Sequence, residues 1–174
     1  MRKTIIGFIA MAGVLTGCAT VQSLVRSTFP YTATLLIPAS SRTGTNLSAT
    51  SSANSFDQIF TGQGSNTEAV KEIRIASAKI VASNPSSQNL GVIKSIKIYL
   101  SRGDGSREIL VASRTDILSS VGSSLVLDID NSRFLDDYIK GSTVRVRMEY
   151  VLRESINSDA SVKASLGFSV APTR

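Results

Sequence analysis

One thiol stands in the 174-residue chain, Cys18, and it stands at a boundary. Leu15-Thr16-Gly17 comes directly before it, at the end of an apolar run from Ile5 to Leu15, and Arg2 and Lys3 precede that run. A positive start, a short apolar core and small residues at the end follow the order of a secretory leader. The run is 11 residues long, too short to cross a hydrocarbon core of about 30 Å as a helix. Gly17 leaves a peptidase room at the residue before the cut, and a cysteine thiol is a soft nucleophile placed where the cut would free it.

Leu15-Thr16-Gly17-Cys18 resembles the lipobox of bacterial lipoproteins. The resemblance implies that residues 1–17 are a cleaved signal peptide and that Cys18 is lipidated, so that the mature chain hangs from a Gram-negative envelope membrane. Each buried methylene contributes about 0.8 kcal/mol, so two or three acyl chains anchor stably where one does not. In such lipoproteins an Asp after the cysteine retains the protein in the inner membrane. Ala19 and Thr20 follow here, which implies transfer to the outer membrane. Residues 20–26 carry no acid, which favours the periplasmic face. The expected partners are the membrane, through the N-terminal lipid, and an envelope protein. No nucleic acid and no cofactor are expected.

Composition narrows the chemistry. The chain has no His and no Trp, so Ser-His-Asp and Cys-His arrangements, His-ligated zinc and a neutral-pH imidazole base are all excluded. Leader removal lowers the basic count from 19 to 17 against 13 acids, a mild excess unlike a nucleic-acid footprint. With Cys18 acylated no thiol remains for a disulfide, so the fold must rest on burial alone. No S-x-x-K or G-x-S-x-G motif occurs to supply another nucleophile.

Asp128-x-Asp130 with Asp136 and Asp137 could suggest calcium. An EF-hand-like loop from Asp128 needs Gly at its sixth position and a carboxylate at its twelfth. Arg133 and Ile139 stand there, so these acids are expected to be solvated, with some of them favoured near a helix N-terminus. Gly103-Asp104-Gly105 reads as a hairpin turn. Arg145, Arg147, Arg153 and Lys163 could make a basic patch for anionic lipid or glycan, but an ordinary solvated sheet face explains them as well.

The elements are mostly strands. Residues 18–28 read as a tether and 29–174 as the domain. Tyr31 to Pro38 alternates, with Tyr31, Ala33, Leu35 and Ile37 on one side. Residues 39–55 are polar, a loop or an edge strand near 45–50. Phe56, Ile59 and Phe60 precede a Gly-rich loop at 62–66. A long strand spans 70–83, with Ile73, Ile75 and Val81 on one face, Ala78 and Ile80 on the other, and a bulge near 77–80. Strands follow at 90–102 and 107–113, and Leu125, Leu127 and Ile129 form another inward row. Phe134, Leu135, Tyr138 and Ile139 recur at helical spacing, with Asn131 or Ser132 as cap and Gly141 as stop. The last two strands, 143–154 and 161–171, are expected to form a hairpin setting Val146 against Phe168 and Met148 against Leu166, with Arg147 outward.

About eight or nine strands and one short helix predict an all-β, two-sheet sandwich of immunoglobulin-like type. Asn84-Pro85, the Ile-rich strand through Tyr99-Leu100, and the Gly103/Gly105 turn leading to Ile109 and Ala112 resemble the sandwich of late-embryogenesis-abundant type 2 proteins over residues 70–115. That resemblance implies a fold and no chemistry. The expected role is non-enzymatic: structural, assembly or binding. A surface-exposed adhesin or glycan-binding lipoprotein is the first alternative, weakened by the scarcity of aromatics for a sugar platform. An envelope enzyme is the second.

Overall fold

The computed structural model describes residues 28–52, 54–55, 70–140 and 143–172. They form an all-β sandwich, two antiparallel sheets face to face. The strands are β1 (Thr28–Ile37), β2 (Asn46–Thr50), β3 (Asn54–Ser55), β4 (Val70–Asn84), β5 (Ile93–Arg102), β6 (Ile109–Arg114), β7 (Ser124–Val126), β8 (Asp128–Ile129), β9 (Thr143–Leu152) and β10 (Ala160–Pro172). One sheet runs β1-β10-β4-β7 and the other β2-β9-β5-β6-β8, with β3 paired to β9 beyond β2. A single helical turn, α1 (Asp136–Ile139), closes one end.

Period-two patterning built the strands as the alternation demands. Tyr31, Ala33, Leu35 and Ile37 are buried, as are Val144, Val146, Met148, Tyr150 and Leu152 of β9 and Val162, Ala164, Leu166, Phe168 and Val170 of β10. Phe168 is the largest of the fully enclosed side chains. Leu125 and Leu127 are buried in the inward row, with Ile129 half-buried beside them.

The expected hairpin of the last two strands does not form. β9 pairs with β2 and β5, whereas β10 lies between β1 and β4 in the other sheet. Met148 faces Ala49 and Ile98 across its ladders, and Leu166 faces Tyr31 and Ala78. In constant-type immunoglobulin domains the last two strands share a sheet, so this strand order is the chain's own. Residues 153–159 carry the chain across the roughly 10 Å between the sheets, and Ile156 is buried on the way.

In β4 the buried set is Val70, Ile73, Ile75, Ala78, Ile80 and Ala82, so Val81 points outward and Ala78 and Ile80 inward, the reverse of the sequence expectation. The cause is the bulge. Ser77 pairs with Gly167 and Ile75 with Phe168, which leaves Ala76 as the extra residue and resets the alternation after it. Residues 90–92 are a 3-10 turn capped by the Asn89 carboxamide, which accepts from the Gly91 amide, so the strand starts only at Ile93. Gly91 has to be glycine, because a β-carbon there would run into the Ser119 backbone. β6 begins at Ile109 after the expected turn, in which Gly105 takes a positive φ of 81°.

The row at 125–129 crosses between the sheets. Ile80 pairs with Leu125 in one sheet and Ala112 with Ile129 in the other, with Leu127 at the crossing.

Candidate functional site

Cys18, the one residue to which the sequence assigns chemistry, lies outside the described residues, together with the rest of the leader and most of the tether. The apolar patch at Phe56, Ile59 and Phe60, the Gly-rich loop and Gly141 lie outside them too. The described domain begins at Thr28, ten residues beyond Cys18, and its register shows which end of the sandwich that is. Thr28 pairs with Ser169, and Ser169 pairs with Arg74. Strands in a sheet lie about 4.8 Å apart, so Arg74 stands about 10 Å from the point where the N-terminal segment leaves.

That end is built around α1. Leu135 and Ile139, four residues apart on one face of the turn, are buried and drive it into the core. The Leu135 amide donates to the Ile73 carbonyl at 2.8 Å, and the Ile73 amide donates to Asp136 Oδ2 at 3.0 Å, so α1 is bonded to the start of β4. Leu135 itself is the N-cap, and no side chain caps the turn. Asn131 and Ser132 do not serve as expected, since the Ser132 amide and hydroxyl donate to Asp130 Oδ1. Arg102 Nε and Nη2 donate to the Asp137 carbonyl at 2.9 and 2.6 Å, which ties α1 to β5 as well.

Phe134, just before α1, is 49% exposed. The Arg74 guanidinium sits 3.9 Å from its ring centroid while donating to the Asn131 carbonyl at 2.6 Å. The arrangement is a held cation–π pair. Glu72, Phe134, Asp136 and Asp137 line an open hollow of about 320 Å³. Its two aspartates already have partners, while Glu72 has none among the described residues. Asp136 lies 3.5 Å from Lys140 and Asp137 lies 3.6 Å from Arg107.

The aspartates between 128 and 137 make separate contacts. Asp128 pairs with Arg114 at 3.2 Å, and Asp130 turns toward Ser132, which holds its carboxyl below the usual carboxylate range. Asp104 is lowered in the same way by the Ser106 side chain and amide. Among the described residues no group of three or more His, Cys, Asp or Glu side chains is placed to hold a metal ion.

The four basic residues named from the sequence do not share a face. Lys163 lies on β10 in one sheet, and Arg145 and Arg147 lie on β9 in the other. Arg153, after β9, donates to the carbonyls of Gly91 and Ile117 at 2.7 and 2.6 Å and locks the loops of the opposite end. Arg147 is the centre of a charge network. Its Nε and Nη2 donate to the two Glu108 oxygens at 2.6 and 2.7 Å, its Nη1 reaches Glu149 at 3.5 Å, and its guanidinium lies 4.2 Å from the Tyr99 ring centroid. Lys97 joins through Glu149 at 3.5 Å. The Arg147 hydrogen bonds hold Glu108 below the ordinary glutamate range, and those same bonds raise Arg147. A cross-strand lattice of this kind is a closed surface, with its charges answering each other.

A second open hollow, about 480 Å³, lies on the outer face of the four-stranded sheet. Pro30 and Val126 stand at its sides over Ser77, Ser165 and Gly167. Small side chains on β4 and β10 leave this space, and no charge cluster accompanies it. At the end away from α1, Leu118 projects with 72% exposure, in a loop held by the Ile117 amide donating to the Lys94 carbonyl.

Outside β4, alternation alone gave the inward faces. The Arg74–Phe134 pair and the Arg147 lattice join strands distant in sequence, and the signals present were only an aromatic beside a helical turn and outward charges on two strands.

No family model matches the chain, and no curated protein matches it. Among solved structures it is similar to the empty head of turnip yellow mosaic virus, at 6% identity over 99% of this chain and 92% of that one, with a TM-score of 0.28. A likeness at that level carries no argument about fold or function.

Proposed function

We propose that the protein is a lipid-anchored, non-enzymatic envelope lipoprotein, held in the outer membrane on its periplasmic face, with a structural, assembly or binding role. The observation that carries this reading is the position of Cys18. It is the chain's only thiol, it closes a leader of the right order, and it stands ten residues before the first strand. A folded β-sandwich that begins so soon after the cysteine is what a short lipid tether requires. The partnered aspartates and the self-contained Arg147 lattice favour a binding or structural role, because general acid–base work needs a group left available to substrate, and the one unpaired acid beside them, Glu72, has no base or nucleophile with it among the described residues.

Metabolic labelling with palmitate tests the anchor. The full-length wild-type chain is expected to take up label and to run as a cleaved species. Cys18→Ala is expected to lose the label and accumulate as the uncleaved precursor. Normal labelling of Cys18→Ala would overturn the reading. Protease shaving of intact cells tests the side, since cleavage would mean outward exposure.

A further inference from the structure

We infer that the α1 end of the sandwich lies against the bilayer surface, with Phe134 as its contact. The inference rests on the lipid-anchor reading and goes beyond it, to which face of the domain meets lipid. Nine residues, 19–27, lie between the acylated cysteine and Thr28, a reach of ten residue steps. A chain of that length spans at most about 35 Å when fully extended. β1 itself is ten residues long, or roughly 33 Å. The tether could bring the far end to the membrane only by being fully drawn out alongside the domain. Any shorter tether conformation leaves the Thr28 end nearest the lipid.

What stands at that end fits an interfacial contact. Thr28, Ser169 and Arg74 form one cross-strand row, which sets the Arg74–Phe134 pair about two strand spacings, ~10 Å, from the tether's exit. Phe134 offers a half-exposed apolar ring, a side chain of the kind that buries at the headgroup/acyl boundary. Arg74 fixes the ring from one side, and its donation to the Asn131 carbonyl uses only one of five N–H donors. Other donors remain available to lipid phosphate as the ring meets the acyl boundary. Acids and bases mix at this end, through Asp136–Lys140 and Asp137–Arg107, so the contact is an aromatic one and does not depend on a positive field. The most exposed leucine among the described residues, Leu118, projects from the opposite end, away from the membrane. It serves as the internal comparison.

The test uses the full-length lipoprotein, purified from envelopes and placed in vesicles of phosphatidylethanolamine and phosphatidylglycerol. Acylation consumes the Cys18 thiol, so one introduced cysteine is the sole labelling site. Asn131→Cys reports on the α1 end and Ser120→Cys on the opposite end, each carrying an environment-sensitive fluorophore read against headgroup-quencher lipid. Quenching at position 131 is expected to exceed that at 120 by at least threefold, with little change on adding salt. Phe134→Ser in the Asn131→Cys background is expected to cut the quenching by half or more, whereas Leu118→Ser leaves it unchanged. Equal quenching at the two ends, or more at 120, overturns the orientation. Quenching at 131 that survives Phe134→Ser overturns the role of the ring. Palmitate labelling of the same samples separates the two levels. Absence of label overturns the lipid anchor and this inference with it, whereas label with the wrong quenching pattern overturns the orientation alone.

Discussion

The Tyr31 hydroxyl donates to the Val144 carbonyl at 3.1 Å, from an edge strand of one sheet to the start of a strand in the other. The two residues are 113 positions apart, and both are buried. This bond fixes β1 over β9 near the end where α1 sits. Tyr31→Phe keeps the ring and removes the donor, and is expected to cost about 1 kcal/mol. Denaturant melts of the two proteins check it, and an unchanged midpoint would mean that the bond contributes nothing net.

Val146 and Arg147 are neighbours with opposite surroundings. Val146 is fully buried and Arg147 reaches outward into Glu108, Glu149 and Tyr99. Val146→Asp is expected to cost roughly 3 kcal/mol or more, by burying an unpaired charge. Arg147→Ala is expected to cost about 1 kcal/mol, because its ion pairs are partly solvated. Arg147→Asp should cost more than Arg147→Ala, since it sets a third carboxylate against Glu108 and Glu149. Sequence patterning alone had placed Arg147 on a face where substitution costs little. Equal costs for Val146→Asp and Arg147→Ala in denaturant melts would refute the two-faced assignment of β9.

Glu108 gives the Arg147 lattice a pH signature. Arg147 holds the folded-state pKa of Glu108 below the ordinary value. The stability from this group is therefore present above the unfolded-state pKa and lost as pH falls through the folded-state one. Because both side chains are partly exposed, the effect stays within about 1 kcal/mol. Wild type and Glu108→Gln should be equally stable well below the carboxylate range. The wild type should gain an advantage as pH rises through that range and keep it at neutrality. Melts from acid to neutral pH check this, and a difference independent of pH would assign the effect to packing instead.

The inward rows of β1, β9 and β10 were legible because a strand buried on one face has to alternate. Their pairing was not. The rows headed by Val144 and Val162 face the same core, and a hairpin or two facing sheets satisfies that pattern equally well. The connection at 153–159 is long enough for either. Ile156, an apolar residue inside a polar connection, was the one trace of a crossing. In β4 one inserted residue, Ala76, reversed the faces from Ser77 to Ala82. Strand length and composition announce such a bulge only as a blurred period. At the α1 end, Leu135 and Ile139 were readable as a helical face. The cation over Phe134 was not, because Arg74 comes from a strand some sixty positions earlier.

β10 lies between β1 and β4, and it is the last strand in the chain. A chain that emerges N-terminus first has β1 and β4 waiting, unpaired with each other, until the final strand arrives. Of all sequence-adjacent strands, only β5 and β6 are bonded to each other among the described residues. Closure of the four-stranded sheet thus waits for β10, and non-local pairing of this kind is intrinsically slow. Until that moment β1, ten residues without a charge, presents open edges of the sort that recruit stray strands. Such a fold depends on β10 out of proportion to its length, because that strand alone joins β1 to β4.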